Sequence, residues 1–239
     1  MQSPESEKTE IIREELTLPG LHEDLIERIV GLPSIRFDTQ ILDLGCGSGA
    51  WLARLADRGF NNLTGIDNES FVRFQPHAKI PIAFHHASLD RDIGMGSKRF
   101  GLITAIEVIE HLLNPGLLLE NVAKHLEPGG LFLMTTPNVH SLRARLRFAL
   151  SGKLAGFDPT NVSAEPTHVS PVFVTCFERM LSRYGLTIRS RWTFPAKSGN
   201  GTRLTRNIAT ALTALFLKND LPGDSLCILS EWRTDAARQ

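Results

Sequence analysis

The run Thr39-Gln-Ile-Leu-Asp-Leu-Gly-Cys-Gly-Ser-Gly-Ala50 constrains the chain most, because an apolar stretch ends there in three glycines at alternate positions. Ile41, Leu42 and Leu44 suit a strand covered on both faces. Gly45, Gly47 and Gly49 remove the Cβ atoms that would block a positive φ or the close approach of a ligand. From Ala50 to Gly59 the spacing is helical, with Leu52, Leu55 and Ala56 on one face and a glycine stop. The unit is strand, glycine turn, helix, and in such a unit backbone N–H groups and the helix dipole converge on a nucleotide-like ligand. A second apolar run, Leu63-Thr-Gly-Ile-Asp67, ends in a carboxylate about 20 residues past the loop, where a ribose diol would be held.

The spacing is G-x-G-x-G, not the G-x-G-x-x-G of dinucleotide folds, which disfavours an NAD(P)-dependent oxidoreductase. At Ile41-Leu-Asp-Leu-Gly-Cys-Gly-Ser-Gly49 the chain resembles the class I S-adenosylmethionine-dependent methyltransferases. That resemblance, covering about residues 20–194, implies an α/β fold: a doubly wound, mostly parallel seven-stranded sheet with helices on both faces and an antiparallel last strand. It implies S-adenosylmethionine as cofactor, held by Asp43, Gly45, Cys46, Gly47, Ser48, Gly49, Asp67, Asn68, Ser88, Leu89 and Glu107. Two positions depart from the family pattern. Ser88-Leu89 stands where Asp-Leu is common, with Asp90 two residues later, and Phe100-Gly101 stands where Phe-Asp is usual. A non-catalytic partner protein that binds the cofactor would carry the same motifs.

With 239 residues and 42% hydrophobic composition, the chain can bury one full core, and residues 1–239 read as a single domain. The formal net charge of zero gives no overall footprint for nucleic acid or anionic membrane. Cys46, Cys176 and Cys227 are far apart and odd in number, against a disulfide framework or a structural zinc site. Residues 1–15 are polar and read as a disordered tail without an apolar signal core. No run approaches transmembrane length, so the expectation is a soluble, cytoplasmic protein.

In chain order, Leu21–Val30 has the spacing of an amphipathic helix, from which His22 could approach the cofactor. A short helix is expected over 69–75 and a third strand over Ile80–Ala87, with Pro81 tolerated at its start. A fourth strand follows at Phe100–Ile106, then a helix from Pro115 to Leu126 and a fifth strand at Leu131–Thr136. The alternation predicts a parallel sheet whose ligand rim gathers Gly45–Gly49, Asp67, Ser88, Glu107 and Asn138. Residues 139–171 loosen into a lid or substrate-pocket region with a short helix marked by Leu142, Leu146 and Leu150. A helix over Phe173–Tyr184 and strands over Leu186–Phe194 and Leu226–Trp232 complete the sheet, and 195–225 read as a helical insertion striped by Leu204, Ile208, Leu212, Leu215 and Phe216.

Methyl transfer from a sulfonium is an in-line displacement, so the enzyme chiefly holds donor and acceptor roughly 3 Å apart in a dry site. The candidate chemistry lies in Glu107-Val-Ile-Glu110-His111, where positions 107, 110 and 111 share a face if the segment is helical, and in His168. The constellation is similar to two branches of the family, ubiquinone-biosynthesis O-methyltransferases and small-RNA 3′-terminal 2′-O-methyltransferases. The RNA branch implies a divalent ion, Mg²⁺ or Mn²⁺, on Glu107, Glu110, His111 and His168. The alternatives are His111 or His168 as general base with Glu110 beside them, or plain scaffolding, in which case the acceptor site moves toward Asn138 and His140. Arg143, Arg145, Arg147 and Lys153 could hold a phosphate or simply be solvated, and the Leu204–Phe216 stripe could pack on the sheet or cover a lipid tail. The leading expectation is O-methylation of a small-molecule or lipid-like acceptor, with nucleic acid disfavoured. Because Gly47 sits where the backbone must meet the cofactor, Gly47→Val is expected to abolish S-adenosylmethionine binding in a chain that still folds; undiminished binding by calorimetry would contradict the cofactor assignment.

Overall fold

The computed structural model describes residues 17–68, 74, 76–77, 79–157, 168–194 and 222–233. The tail over 1–15, the helix expected over 69–75 apart from Phe74, residues 158–167, and the insertion from 195 to 221 with its Leu204–Phe216 stripe lie outside the described residues.

Seven strands form one sheet: β1 (Ile41–Leu44), β2 (Leu63–Asp67), β3 (Ile82–His86), β4 (Phe100–Ile106), β5 (Leu126–Pro137), β6 (Leu186–Phe194) and β7 (Ser225–Trp232). Their order is β3-β2-β1-β4-β5-β7-β6. The first five pair in parallel, and β7 lies antiparallel between β5 and β6. Among the described residues five helices cover it: α1 (Leu21–Val30), α2 (Ala50–Asp57), α3 (Pro115–His125), α4 (Leu142–Ser151) and α5 (Val174–Arg183). Local chemistry sets their ends. Proline opens α3, where its missing N–H costs nothing. Ser141 caps α4 by accepting the Ala144 N–H at 3.2 Å.

Alternation along each strand divides the core between the two faces of the sheet. Leu42, Leu44, Ile103 and Phe132 pack against Leu118, Leu119 and Val122 of α3 and Phe177 and Leu181 of α5. Ile41, Leu63, Leu102 and Leu131 pack against Leu21 and Leu25 of α1 and Trp51 and Leu52 of α2. This is the doubly wound arrangement expected from the resemblance.

Two local expectations change. β5 begins at Leu126, which pairs with Phe100 ahead of a register shift, so Pro128-Gly129-Gly130 interrupts the strand and does not precede it. Residues 107–111 do not share a helical face. The Glu107 N–H is held by the Thr135 carbonyl at 3.2 Å and by Thr135 Oγ1 at 3.0 Å, which keeps the backbone on the sheet before it turns. Glu107 then adopts φ 54°, and only Ile109–His111 form a single 3₁₀ turn. The glycine at Gly101 has a steric reason: a Cβ there would stand 2.8 Å from Thr39 Cγ2.

Gly65 sets how closely α2 rides on β2, since a Cβ would meet Cys46 Sγ at 2.7 Å and Leu52 Cδ1 at 2.8 Å. Gly65→Ala is therefore expected to destabilise the protein by about 1–3 kcal/mol, the usual cost of overpacking, measured by denaturant unfolding.

Candidate active site

Where β1 and β2 stop pairing, their last carbonyls and side chains organise the glycine loop. The N–H groups of Gly45 and Cys46 donate to the Ile66 carbonyl at 2.8 and 3.0 Å. The Gly47 N–H donates to Asp67 Oδ2 at 2.6 Å, and the Asn68 N–H to Oδ1 at 2.7 Å. Burial raises the Asp67 pKa, and these two N–H groups oppose the shift. Gly47 has φ 50°, and a Cβ placed on it would meet nothing within 4 Å, so this backbone faces open space at the start of α2. At Gly45 the reason for glycine is internal, because a Cβ would lie 2.6 Å from Val108.

Beneath the loop lies a polar chain that the sequence reading did not assemble. Trp51 Nε1–H donates to Thr104 Oγ1 at 3.1 Å, and Thr104 Oγ1 donates to Asp43 Oδ1 at 2.7 Å. Register explains it: β1 and β4 are in parallel register with Asp43 opposite Thr104, and both point to the α2 face. His22 packs on Trp51, ring centroids 5.4 Å apart. Desolvation pushes the Asp43 pKa up to about 8, with the Asp67 charge adding to it and the Thr104 hydrogen bond opposing it. The available signal was Thr104 itself, the one hydroxyl in Phe100-Gly-Leu-Ile-Thr-Ala-Ile106.

The expected metal or base residues divide. Glu107, the one non-glycine with positive φ among the described residues, turns its carboxylate to β7, where Ser225 Oγ–H donates to Oε1 at 2.7 Å. Its pKa is raised by burial, against the hydrogen bonds from Ser225 and Thr135. Glu110 is fully buried, and among the described residues neither of its carboxylate oxygens has a hydrogen-bond partner. Burial and then the Glu107 charge push its pKa up to about 8; the nearby Thr136 hydroxyl offsets part of this without a bond of normal geometry. Its backbone carbonyl accepts the N–H groups of Val169 at 2.7 Å and Ser170 at 2.9 Å, which brings His168 to the 3₁₀ turn.

The rings of His111 and His168 stand 4.6 Å apart, and one ligand atom each from Glu110, His111 and His168 fall within 4.8 Å of one another. Glu107 does not join that group. His168 Nδ1 lies 2.6 Å from the Gly156 carbonyl, which only accepts, so Nδ1 carries the hydrogen and Nε2 the lone pair. Glu110 and His168 thus present a buried carboxylate and an oriented imidazole side by side, ligand types that divalent ions take.

Of the other expected residues, Leu89 is buried in the core, and Ser88 Oγ accepts the Asp90 N–H at 3.3 Å. Asp90 accepts the Asn114 N–H at 3.2 Å. Asn138 holds the β5–β7 corner, its Nδ2 donating to the Gly223 carbonyl and its Oδ1 accepting the His140 N–H, both at 2.9 Å. His140 Nε2 accepts the Val174 N–H at 3.1 Å, anchoring the start of α5. Both act in the scaffold. A depression of about 390 Å³ lined by Val30, Ile35, Phe37 and Phe60 lies at the amino ends of the strands, away from this rim.

Comparison with known proteins agrees with this geometry. Residues 14–191 match a family model described as a methyltransferase domain. The ubiquinone biosynthesis O-methyltransferase of Caulobacter sp. (strain K31) is 32% identical over 104 residues, 41% of this chain and 41% of that protein. The mitochondrial ubiquinone biosynthesis O-methyltransferase of Homo sapiens is 27% identical over 188 residues, 74% of this chain and 49% of that protein. The chain thus spans less than half the length of these two curated relatives. An S-adenosylmethionine-dependent methyltransferase from Archaeoglobus fulgidus shares the fold at TM-score 0.56 and 18% identity, covering 88% of this chain and 94% of that one.

A buried acid with a raised pKa makes the folded state hold a proton that the unfolded chain has released, so Asp43 lowers stability as pH rises from the ordinary carboxylate range to about 8. In thermal melts across that window without added ligand, Asp43→Asn is expected to lose less stability than the wild type; parallel curves would contradict the shift.

Proposed function

We infer that this chain, which belongs to the methyltransferase-domain family, is an S-adenosylmethionine-dependent methyltransferase acting on an oxygen of a small, lipid-like acceptor. The observation that carries the reading is the Gly47 joint: open backbone at the start of α2, fixed to Asp67 and standing over the buried Asp43. When bound, S-adenosylmethionine supplies a methyl group on a positively charged sulfonium, open to in-line attack by an oxygen. Asp67 has lone pairs left for a ribose diol beyond those used by the Gly47 and Asn68 N–H groups. Asp43 and Glu107, both raised by burial, gain from a cationic ligand, whose charge favours their ionised forms. His168 Nε2 takes the proton of the acceptor hydroxyl, while its Nδ1–H stays on the Gly156 carbonyl and fixes the ring.

The acceptor class follows from the relatives, which are named for ubiquinone biosynthesis and O-methylation. A second chemistry for the same cluster is favoured by the oxygens of Glu110, which have no hydrogen-bond partner among the described residues. Glu110, His111 and His168 would hold Mg²⁺ or Mn²⁺, which would lower the pKa of a hydroxyl and orient it. An RNA 3′ end is the alternative acceptor under that chemistry.

Turnover with lipid-tailed phenols, measured with and without chelator, tests both. With His168 as base, activity resists chelation, and His168→Ala lowers kcat about 10²–10⁴-fold with S-adenosylhomocysteine affinity unchanged. Loss on chelation with recovery in Mn²⁺ selects the metal chemistry. Absence of S-adenosylmethionine binding in calorimetry would sink the function altogether.

A further inference from the structure

Thr104 is fully buried inside β4, so it does not touch a ligand at the rim, yet its hydroxyl is bonded to an acid two residues before the glycine loop. A buried threonine commonly bonds a nearby backbone carbonyl. Thr104 has that choice in the Leu42 carbonyl, at 3.4 Å, but Asp43 Oδ1 is much closer, at 2.7 Å. Trp51 narrows the choice. Its indole N–H can only donate, and at 3.1 Å it occupies one lone pair of Thr104 Oγ1. One hydrogen and one lone pair are left on the hydroxyl. Toward an ionised Asp43 the hydroxyl donates; toward a protonated Asp43 it accepts and turns its hydrogen to Leu42. The first of these bonds is charge-assisted and therefore the stronger, so the arrangement favours the anion. Trp51 is itself held in place as the second residue of α2, buried and packed on His22.

The titratable groups around Asp43 do not supply this donor. Asp67, at the end of β2, adds like charge, and burial pushes the Cys46 thiol up and keeps it neutral. The His86 charge, at the end of β3, acts on Asp67. His22 of α1 meets the Trp51 ring. Arg54 and Arg58, in and just after α2, pair with Glu23 and Glu27 of α1. β4 brings no titratable residue, and Glu107 beyond it is bonded to Ser225. Desolvation and Asp67 thus act against the anion, and Thr104 opposes them.

We propose that Thr104, oriented by Trp51, is a positioning residue for cofactor binding, holding Asp43 as the oriented anion that receives a positively charged cofactor. The proposal rests on the S-adenosylmethionine reading above. Its consequence is a pH profile. With Asp43 raised to about 8, the protein below that pH releases a proton when it binds a cation, so affinity rises with pH until Asp43 has ionised. Without the Thr104 hydroxyl the acid is raised further, and the profile moves to higher pH.

The test is calorimetric binding of S-adenosylmethionine between about pH 6 and 9, with no acceptor present. Thr104→Val is expected to weaken binding about tenfold at neutral pH and to move the midpoint up by about one pH unit, the scale of a hydrogen bond to a charged group. The ligand's own titration and any charge on His22 are common to all variants, so the ratio of variant to wild-type Kd is read, and it should fall as pH rises. Trp51→Phe, which keeps an aromatic ring but lacks the N–H, should shift the profile the same way by less, and Thr104→Ser should restore it. These two carry the comparison if the valine protein does not fold. A purely structural threonine would lower the melting temperature without moving the profile. Melts without ligand give a separate reading: in Thr104→Val the fall of stability with rising pH should extend about one pH unit beyond that of the wild type. A Kd ratio that stays flat across pH, or ligand-free melts that run parallel to the wild type, overturns the proposal. Absence of binding by the wild type overturns the cofactor reading and this role with it, while the melts still report the bond between Thr104 and Asp43, so the two failures are told apart.

Discussion

The hydrogen bond from the Gly47 N–H to Asp67, 2.6 Å long, fixes the loop on which the whole rim depends. Parallel pairing of β1 with β2 delivers that carboxylate to a loop twenty positions earlier in the chain, with Leu44 in register with Ile66 just before it. A charged acceptor on a backbone N–H is among the stronger hydrogen bonds a protein makes. It leaves the Gly47 backbone facing outward, because the bond holds the loop from the sheet side and glycine puts nothing on the other.

The acids around this rim differ in how far the fold satisfies them, and this orders their roles. Asp67 has two backbone N–H donors. Glu107 has the Ser225 hydroxyl and a strained backbone fastened to Thr135. Asp43 has the Thr104 hydroxyl, and Glu110 has no hydrogen-bonded partner for either oxygen among the described residues. Buried carboxyls satisfied so incompletely cost stability, and the cost is relieved by whatever positive ligand arrives. Functional sites commonly carry such a cost.

The outer side of the site obeys the same logic with apolar groups. One carbonyl, that of Glu110, takes two N–H groups from residues 169 and 170, and Ser170 Oγ–H donates to the Leu112 carbonyl at 2.6 Å. Those bonds draw His168 over His111 and carry Leu113 and Val169 to the surface together. Catalytic candidates and exposed apolar side chains therefore share one short scaffold.

The sequence by itself determined the elements whose signals are local: the strands read from apolar runs, α1 from its periodicity, the glycine loop from alternate glycines, and Asp67 from its place at a strand end. The resemblance supplied the sheet and its antiparallel strand, both present in the structure. Tertiary structure decided which side chains meet. Thr104 reaches Asp43 across 61 positions, and Ser225 reaches Glu107 across 118, distances over which no spacing rule operates. The same holds for the turn at Glu107, whose i, i+3, i+4 pattern would share a face only in a helix, whereas Thr135 of a later strand keeps its backbone on the sheet. Helix periodicity is a property of consecutive residues, whereas a strand end is shaped by the neighbour it pairs with, and that neighbour is chosen only when the chain has folded.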